Sequence, residues 1–199
     1  MPNPSRLTTH RRNLRAENDM KAKYAALLPG LILGAVIGIP TAMSAPHPTR
    51  ITFVDTGNTG RSVAAEALAD VAIAKGHLDA QVISRAVNLN PFNIRPEANF
   101  VILLHRRGIN IAAHTAAQFG AQEAEFSDVI LTMTEAHKTW ILTHYPETKG
   151  KVFTLAEYAS GTQQEVQDPF GKPMDVYQVV LHQLDQMVGA AVTKAAARP

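Results

Sequence analysis

Asp55 closes an apolar run and opens a short glycine-containing loop, FVDTGNTGRSVAAEAL at 53–68. An Ala-rich helix follows at once. Strand, loop and helix start in that order make an anion cradle, because the N–H groups of the loop and first helical turn point inward without intrahelical partners. A phosphate-sized anion suits such a cradle, and the loop's first position is where a nucleophile would stand. Here that position carries a carboxylate. On its own an aspartate before a helix can simply cap the loop. A second aspartate, Asp168, precedes Pro169 in QDPFGKP (167–173), and taken alone it reads as a turn initiator.

These residues need a scaffold, and the chain supplies alternating strand and helix signals. RITFV (50–54) is a short apolar run of the kind buried in a parallel sheet. A helix follows through Lys75, with Ala64, Ala67, Leu68, Val71 and Ala72 on one face and Gly76 as its stop. AQVIS (80–84), DVILTM (128–133) and KVFTL (151–155) are the further strands. NLNPFNIRP (88–96) is a loop leading to a helix that ends near Gly108, where His105, Arg106 and Arg107 form a polar end. EAHKTWILTHY is the helix stopped by Pro146, and MDVYQVVLHQLDQMV the last amphipathic helix, with a fraying Ala-rich tail after Gly189. The pattern predicts an α/β fold: three layers, a doubly wound four-stranded parallel sheet with helices on both faces. In such sheets the ligand sits at the carboxyl ends of the strands beside the topological switch point. The 55–62 and 167–173 loops both fall on that edge.

The 199 residues are 46% hydrophobic, enough for a buried core, and the pI near 9.0 is a local property. Residues 1–45 hold Arg6, Arg11, Arg12, Arg15, Lys21 and Lys23 against Glu17 and Asp19. Of the 19 basic and 17 acidic residues, 13 and 15 therefore remain in 46–199. That mildly acidic part carries no nucleic-acid footprint. From Met20, the alternative start, two lysines, an apolar run and small residues follow the plan of a secretory signal. The twin-arginine pattern RRNL (11–14) fits less well, since Glu17 and Asp19 separate it from the apolar run. Residues 1–45 are thus expected to be an export signal or membrane anchor and 46–199 the folded domain. Cleavage after Ser44 would release a periplasmic product. Without it, Tyr24–Pro48 is long enough to anchor the chain at the outer face of the inner membrane. There is no cysteine, hence no disulfide framework, thiolate metal site or thiol nucleophile. His137 and His144 lie on one helix without a third metal ligand in view and read as a solvated face. No cofactor or metal is expected.

The loop, the strand order and the downstream DPFG resemble the low-molecular-weight protein tyrosine phosphatase family over roughly 50–188. That family opens with a strand and a Cys-x5-Arg-Ser loop. DTGNTGRS matches it at Thr56, Gly57, Asn58, Arg61 and Ser62, with Asp55 in the cysteine position. GINIAAHTAAQF resembles the helix-to-loop segment, SDVILTMTEAHK the third strand and DPFG the general-acid loop. The resemblance implies that the amides of Thr56, Gly57, Asn58, Thr59, Gly60, Arg61 and Ser62, with the Arg61 guanidinium, hold a phosphoryl group. Asn58 and Ser62 would brace the loop. Asp168 would protonate the leaving oxygen, and the residue at position 55 would attack phosphorus. The implied partner is a phosphorylated protein or a small phosphate ester.

Asp55 departs from that scheme. A carboxylate reaches one atom further than a thiolate, pushes into the phosphoryl space and repels a dianion. Pairing of Asp55 with Arg61 is the expected resting state, and loss of efficient hydrolysis the expected outcome. Further departures are Gly60, where the family often has a second cysteine, and Phe170, where an aromatic pair is common. Thr59 stands where bacterial protein-arginine phosphatases have the same residue, which leans towards phosphoarginine over phosphotyrosine. Arsenate reductases of this fold need more cysteines and are excluded. Leu89 and Phe92 either wall a substrate pocket or anchor their loop in the core. Two other readings stay open. One is a magnesium-dependent aspartyl-phosphate phosphatase of the haloacid-dehalogenase type, although its second aspartate is replaced by Gly57. The other is an exported, non-catalytic binding module.

Overall fold

The computed structural model describes residues 47–197. The segment expected to be an export signal or anchor lies outside them. Four strands, β1 (Thr49–Asp55), β2 (Ala80–Ala86), β3 (Val129–Thr132) and β4 (Val152–Thr154), pair in parallel in the order β2-β1-β3-β4. The chain steps outward from β1 to β2, then returns across β1 to β3 and β4. The winding therefore reverses between β1 and β3, and the loop leaving β1 opens at that switch point. Among the described residues six α-helices cover the sheet: α1 (Arg61–Gly76), α2 (Ala98–His105), α3 (Ala121–Phe126), α4 (Glu135–His144), α5 (Leu155–Ser160) and α6 (Met174–Ala196). Among the described residues no helix is long and apolar enough to cross a membrane.

The strand period of two builds a core on each face. Ile51, Phe53, Val129 and Leu131 point into the larger core with α1, α2, α5 and α6. Val54, Ile130 and Val152 point the other way, onto Ile141, Phe119 and Ala124. Central strands buried on both faces read as continuous apolar runs, which is why RITFV and VILT were legible.

Several expectations need correction. The last helix does not fray after Gly189: it runs to Ala196, with Ala191, Val192 and Ala195 fully buried. Small side chains let this helix lie close against the core, and packing outweighs the glycine. On α1 the buried face is Val63, Ala64, Ala65 and Ala69, whereas Val71 is substantially exposed. An alanine-rich helix offers little periodic contrast from which to pick the inner face. Helices α3 and α5 were not anticipated. Yet α5 carries a sequence signal, the box Thr154-x-x-Glu157: Thr154 Oγ1 accepts from Glu157 N at 3.1 Å and Glu157 Oε2 accepts from Thr154 N at 3.2 Å. For α3, Glu123 accepts the N–H of Gly120 at 3.0 Å.

Candidate active site

Asp55 ends β1 with its side chain only 3% exposed. Its Oδ1 accepts the N–H of Asn58 at 2.6 Å and its Oδ2 the N–H of Ser62 at 2.9 Å. The carboxylate thus lies inside the loop it opens and takes a first-turn amide of α1, for which Gly60, the N-cap residue, has no side chain. Both bonds are charge-assisted. The expected Asp55–Arg61 pair is not formed. Backbone donors are nearer and fixed, and the Arg61 guanidinium leaves the loop in another direction.

Arg61, 5% exposed, donates from Nη1 to the carbonyl of Val166 at 3.1 Å, and its Nη2 lies 3.1 Å from Asp168 Oδ2 and 3.5 Å from Thr56 Oγ1. Asp168 is half exposed, and its Oδ1 accepts the N–H of Phe170 at 3.2 Å. Asp55, Thr56, Gly57, Thr59, Arg61 and Asp168 line one cleft of about 240 Å³, completed by Asn90, Asn93, Glu97 and Phe170. Asn58, Gly60 and Ser62 lie behind it. Among the described residues the amides of Gly57, Thr59 and Gly60 donate to no protein atom, so the loop keeps donors that Asp55 does not use.

Asn58 holds the loop's shape. Its φ of 56° is left-handed, a region uncommon outside glycine but accessible to Asn, and its side-chain bonds hold it there. Nδ2 donates to Ser62 Oγ at 3.0 Å and Ser84 Oγ at 2.8 Å, while Oδ1 accepts from Ala117 N at 2.9 Å. His114 Nε2 lies 3.2 Å from both Asn58 oxygens, and Ser84 donates in turn to Glu66. This network ties β1, α1, β2 and the 109–119 segment to one residue.

Sequence reasoning missed several side chains here. His137, read as part of a solvated face, is buried, with Nε2 2.9 Å from Thr56 Oγ1 and Nδ1 3.0 Å from Thr134 Oγ1. Burial and the nearby Arg61 charge push its imidazole down to about 4, so it is neutral near pH 7. The start of α4 turns it inward: Thr134, the N-cap, accepts the N–H of His137. Phe92 is 97% exposed and anchors nothing; Asn90 and Asn93 reach the cleft from that loop instead. Glu97 also enters it, accepting the Tyr177 hydroxyl at 2.5 Å. Burial raises the Glu97 carboxyl, Tyr177 draws it back down, and the Asp168 and Asp55 charges push it up again. Among the described residues no three His, Asp or Glu side chains converge as a metal-ligand set.

A parallel sheet with a glycine-containing loop at its switch point, an arginine at the start of the following helix and a carboxylate facing it is the arrangement of a phosphate-loop fold. Residues 50–197 match the family model described as low molecular weight phosphotyrosine protein phosphatase, and the chain belongs to that family. It is 33% identical to a protein-arginine-phosphatase of Geobacillus stearothermophilus over 147 residues, covering 74% of this chain and 96% of the relative. It is 35% identical to the low molecular weight protein-tyrosine-phosphatase PtpB of Staphylococcus haemolyticus, covering 73% and 99%. A solved YwlE arginine phosphatase, a cysteine-to-serine mutant with a phosphorylated active-site serine, superposes with a TM-score of 0.70 at 32% identity, covering 73% of this chain and 95% of that one.

Proposed function

We propose that this domain recognises a phosphorylated side chain of a protein, phosphoarginine or phosphotyrosine, and hydrolyses it slowly or not at all. The relatives named above include both phosphatase specificities, which supports a phosphoprotein ligand. The observation that carries the loss of turnover is the seat of Asp55. Its two oxygens accept the Asn58 and Ser62 amides, so the residue in the nucleophile position acts as an internal anion. To attack phosphorus it would have to give up bonds that fix the loop. The phosphoryl group would also have to enter against its charge. An oxygen in a relative's active site can carry the phosphoryl group, as the phosphorylated serine of the YwlE mutant illustrates. A serine hydroxyl, however, arrives uncharged. The missing second aspartate at Gly57 argues against the magnesium-dependent aspartyl-phosphate alternative.

Phosphate titration and aryl phosphate turnover test the reading. Wild type should bind phosphate poorly and turn over negligibly. Asp55→Cys should gain phosphatase activity, since a thiolate shortens the reach and its pKa is depressed by the loop amides. Asp55→Ala should stay inactive and bind phosphate more tightly than wild type. Efficient metal-free turnover by wild type would overturn the proposal. The reading also places the domain outside the cytoplasm on the strength of the segment from Met20 to Ala45. Recovery of the intact chain in the cytosolic fraction would sink that part alone.

A further inference from the structure

Glu97 precedes α2 as its N-cap residue, yet its side chain makes no capping bond to that helix. A shorter aspartate at this position would turn back onto the first-turn amides, whereas the longer glutamate side chain is free to reach elsewhere. Here it goes the other way. Oε2 accepts from the Tyr177 hydroxyl, and Oε1 lies 3.4 Å from Thr59 Oγ1 in the loop. The backbone follows suit, with Glu97 N donating to Thr59 O at 2.8 Å.

Gly60 makes this approach possible. A Cβ at position 60 would lie 2.4 Å from Glu97 Oε1, 3.0 Å from its Cδ and 3.3 Å from the Phe100 ring. The space that a loop side chain would claim is held by the Glu97 carboxyl. The result is a cleft with three carboxyl groups, those of Asp55, Glu97 and Asp168, against one guanidinium. Asp55 is spent on the loop amides and Asp168 faces Arg61, while Glu97 has no cationic partner among the described residues. Tyr177 and Thr59 offer it only hydroxyl groups.

Resting on the phosphate-loop reading above, we propose that Glu97 is a specificity-determining residue of the cleft. It disfavours anionic ligands of neutral leaving group and favours a phosphoryl group carried by a cation, namely the guanidinium of phosphoarginine. A carboxylate beside the loop opposes every incoming phosphoryl dianion. Only a ligand that brings its own positive charge within reach of that carboxylate offsets the opposition.

Asp55→Ala exposes the cradle and gives the background for the test. Binding of inorganic phosphate, phosphotyrosine and phosphoarginine is titrated to Asp55→Ala and to Asp55→Ala/Glu97→Gln. Glutamine keeps an acceptor for Tyr177, so thermal melting should match between the two. Removing the charge should tighten inorganic phosphate and phosphotyrosine roughly five-fold and leave phosphoarginine unimproved, collapsing the preference between the two phosphoamino acids. Asp55→Ala/Gly60→Ala, whose new methyl displaces the carboxyl, should shift the same ratio in the same direction. An equal change for all three ligands, or none, overturns the role of Glu97 and leaves the cradle intact. If Asp55→Ala binds none of the three, the cradle reading falls and the selection by Glu97 falls with it.

Discussion

Removing the Asp55 side chain should make the stability of this domain depend on dissolved phosphate. In the native loop two amides, those of Asn58 and Ser62, donate at 2.6 and 2.9 Å to a carboxylate shielded from water. Asp55→Ala strands both. An unsatisfied buried donor costs about 1–3 kcal/mol. Some of that returns, because the variant also removes a charge that works against Glu97 and because water can enter the cleft. A net loss of about 3 kcal/mol is expected, lowering Tm by roughly 6–12 °C for a domain of this size. Phosphate can then occupy the place of the carboxylate, accepting the same two amides, and finds no such site in the unfolded chain. At a hundred times its Kd it should restore about 2.7 kcal/mol, most of the loss. The assay is thermal or urea unfolding in phosphate-free buffer, repeated with increasing phosphate and with sodium chloride matched for ionic strength. Wild type should barely respond. An Asp55→Ala variant as stable as wild type, or one that phosphate does not rescue beyond the chloride control, would show that the carboxylate is not the anion the loop is built around.

The buried His137 gives a pH dependence. Its folded pKa, about 4, lies below the ordinary 6.5, so the unfolded chain binds the extra proton first. Stability should hold above pH 6.5 and fall as pH drops towards 4, by at most about 3 kcal/mol, and His137→Gln should flatten that slope in urea midpoints. Thr154→Ala removes the hydroxyl end of the α5 capping box and should cost about 1 kcal/mol in the same measurement, with no effect on phosphate affinity. Phe53→Ala, in the fully buried centre of β1, should cost about 3–5 kcal/mol, far more than Phe92→Ala at the exposed loop.

The parallel sheet and its loop order were legible because both rest on short-range signals: apolar runs that end in turns, and a glycine-rich loop before a helix. The 55–62 loop could be placed for the same reason, whereas Asp168, a turn initiator on its own, was set opposite it only by the strand order and the family resemblance. The direction of Asp55 was not. Choosing between Arg61 and the amides of Asn58 and Ser62 requires knowing that Val166 and Asp168 hold the guanidinium, a contact spanning more than a hundred residues of chain. His137 was misread because a lone polar residue on a half-polar helix gives no clue to which face packs. Glu97 escaped notice because its neighbours Gly60 and Tyr177 are remote in sequence, and only together do they draw its carboxyl into the cleft.

Val166 does more than accept from Arg61. It is buried, and its own N–H donates to Met133 O beyond the end of β3 at 3.0 Å; three residues on, Pro169 is buried as well. Gln167 and Asp168 form a two-residue arch between these fixed points. An arch so short has little backbone freedom of its own, so the Asp168 carboxyl moves chiefly by turning about its side-chain bonds. Such turning takes picoseconds to nanoseconds, whereas loop rearrangements that expose and cover a site run in microseconds or longer. For the phosphoryl ligand proposed above, the Asp168 wall of the cleft therefore adds no slow step of its own, and its contribution to the time the ligand stays bound is expected to follow the strength of the Asp168 contact.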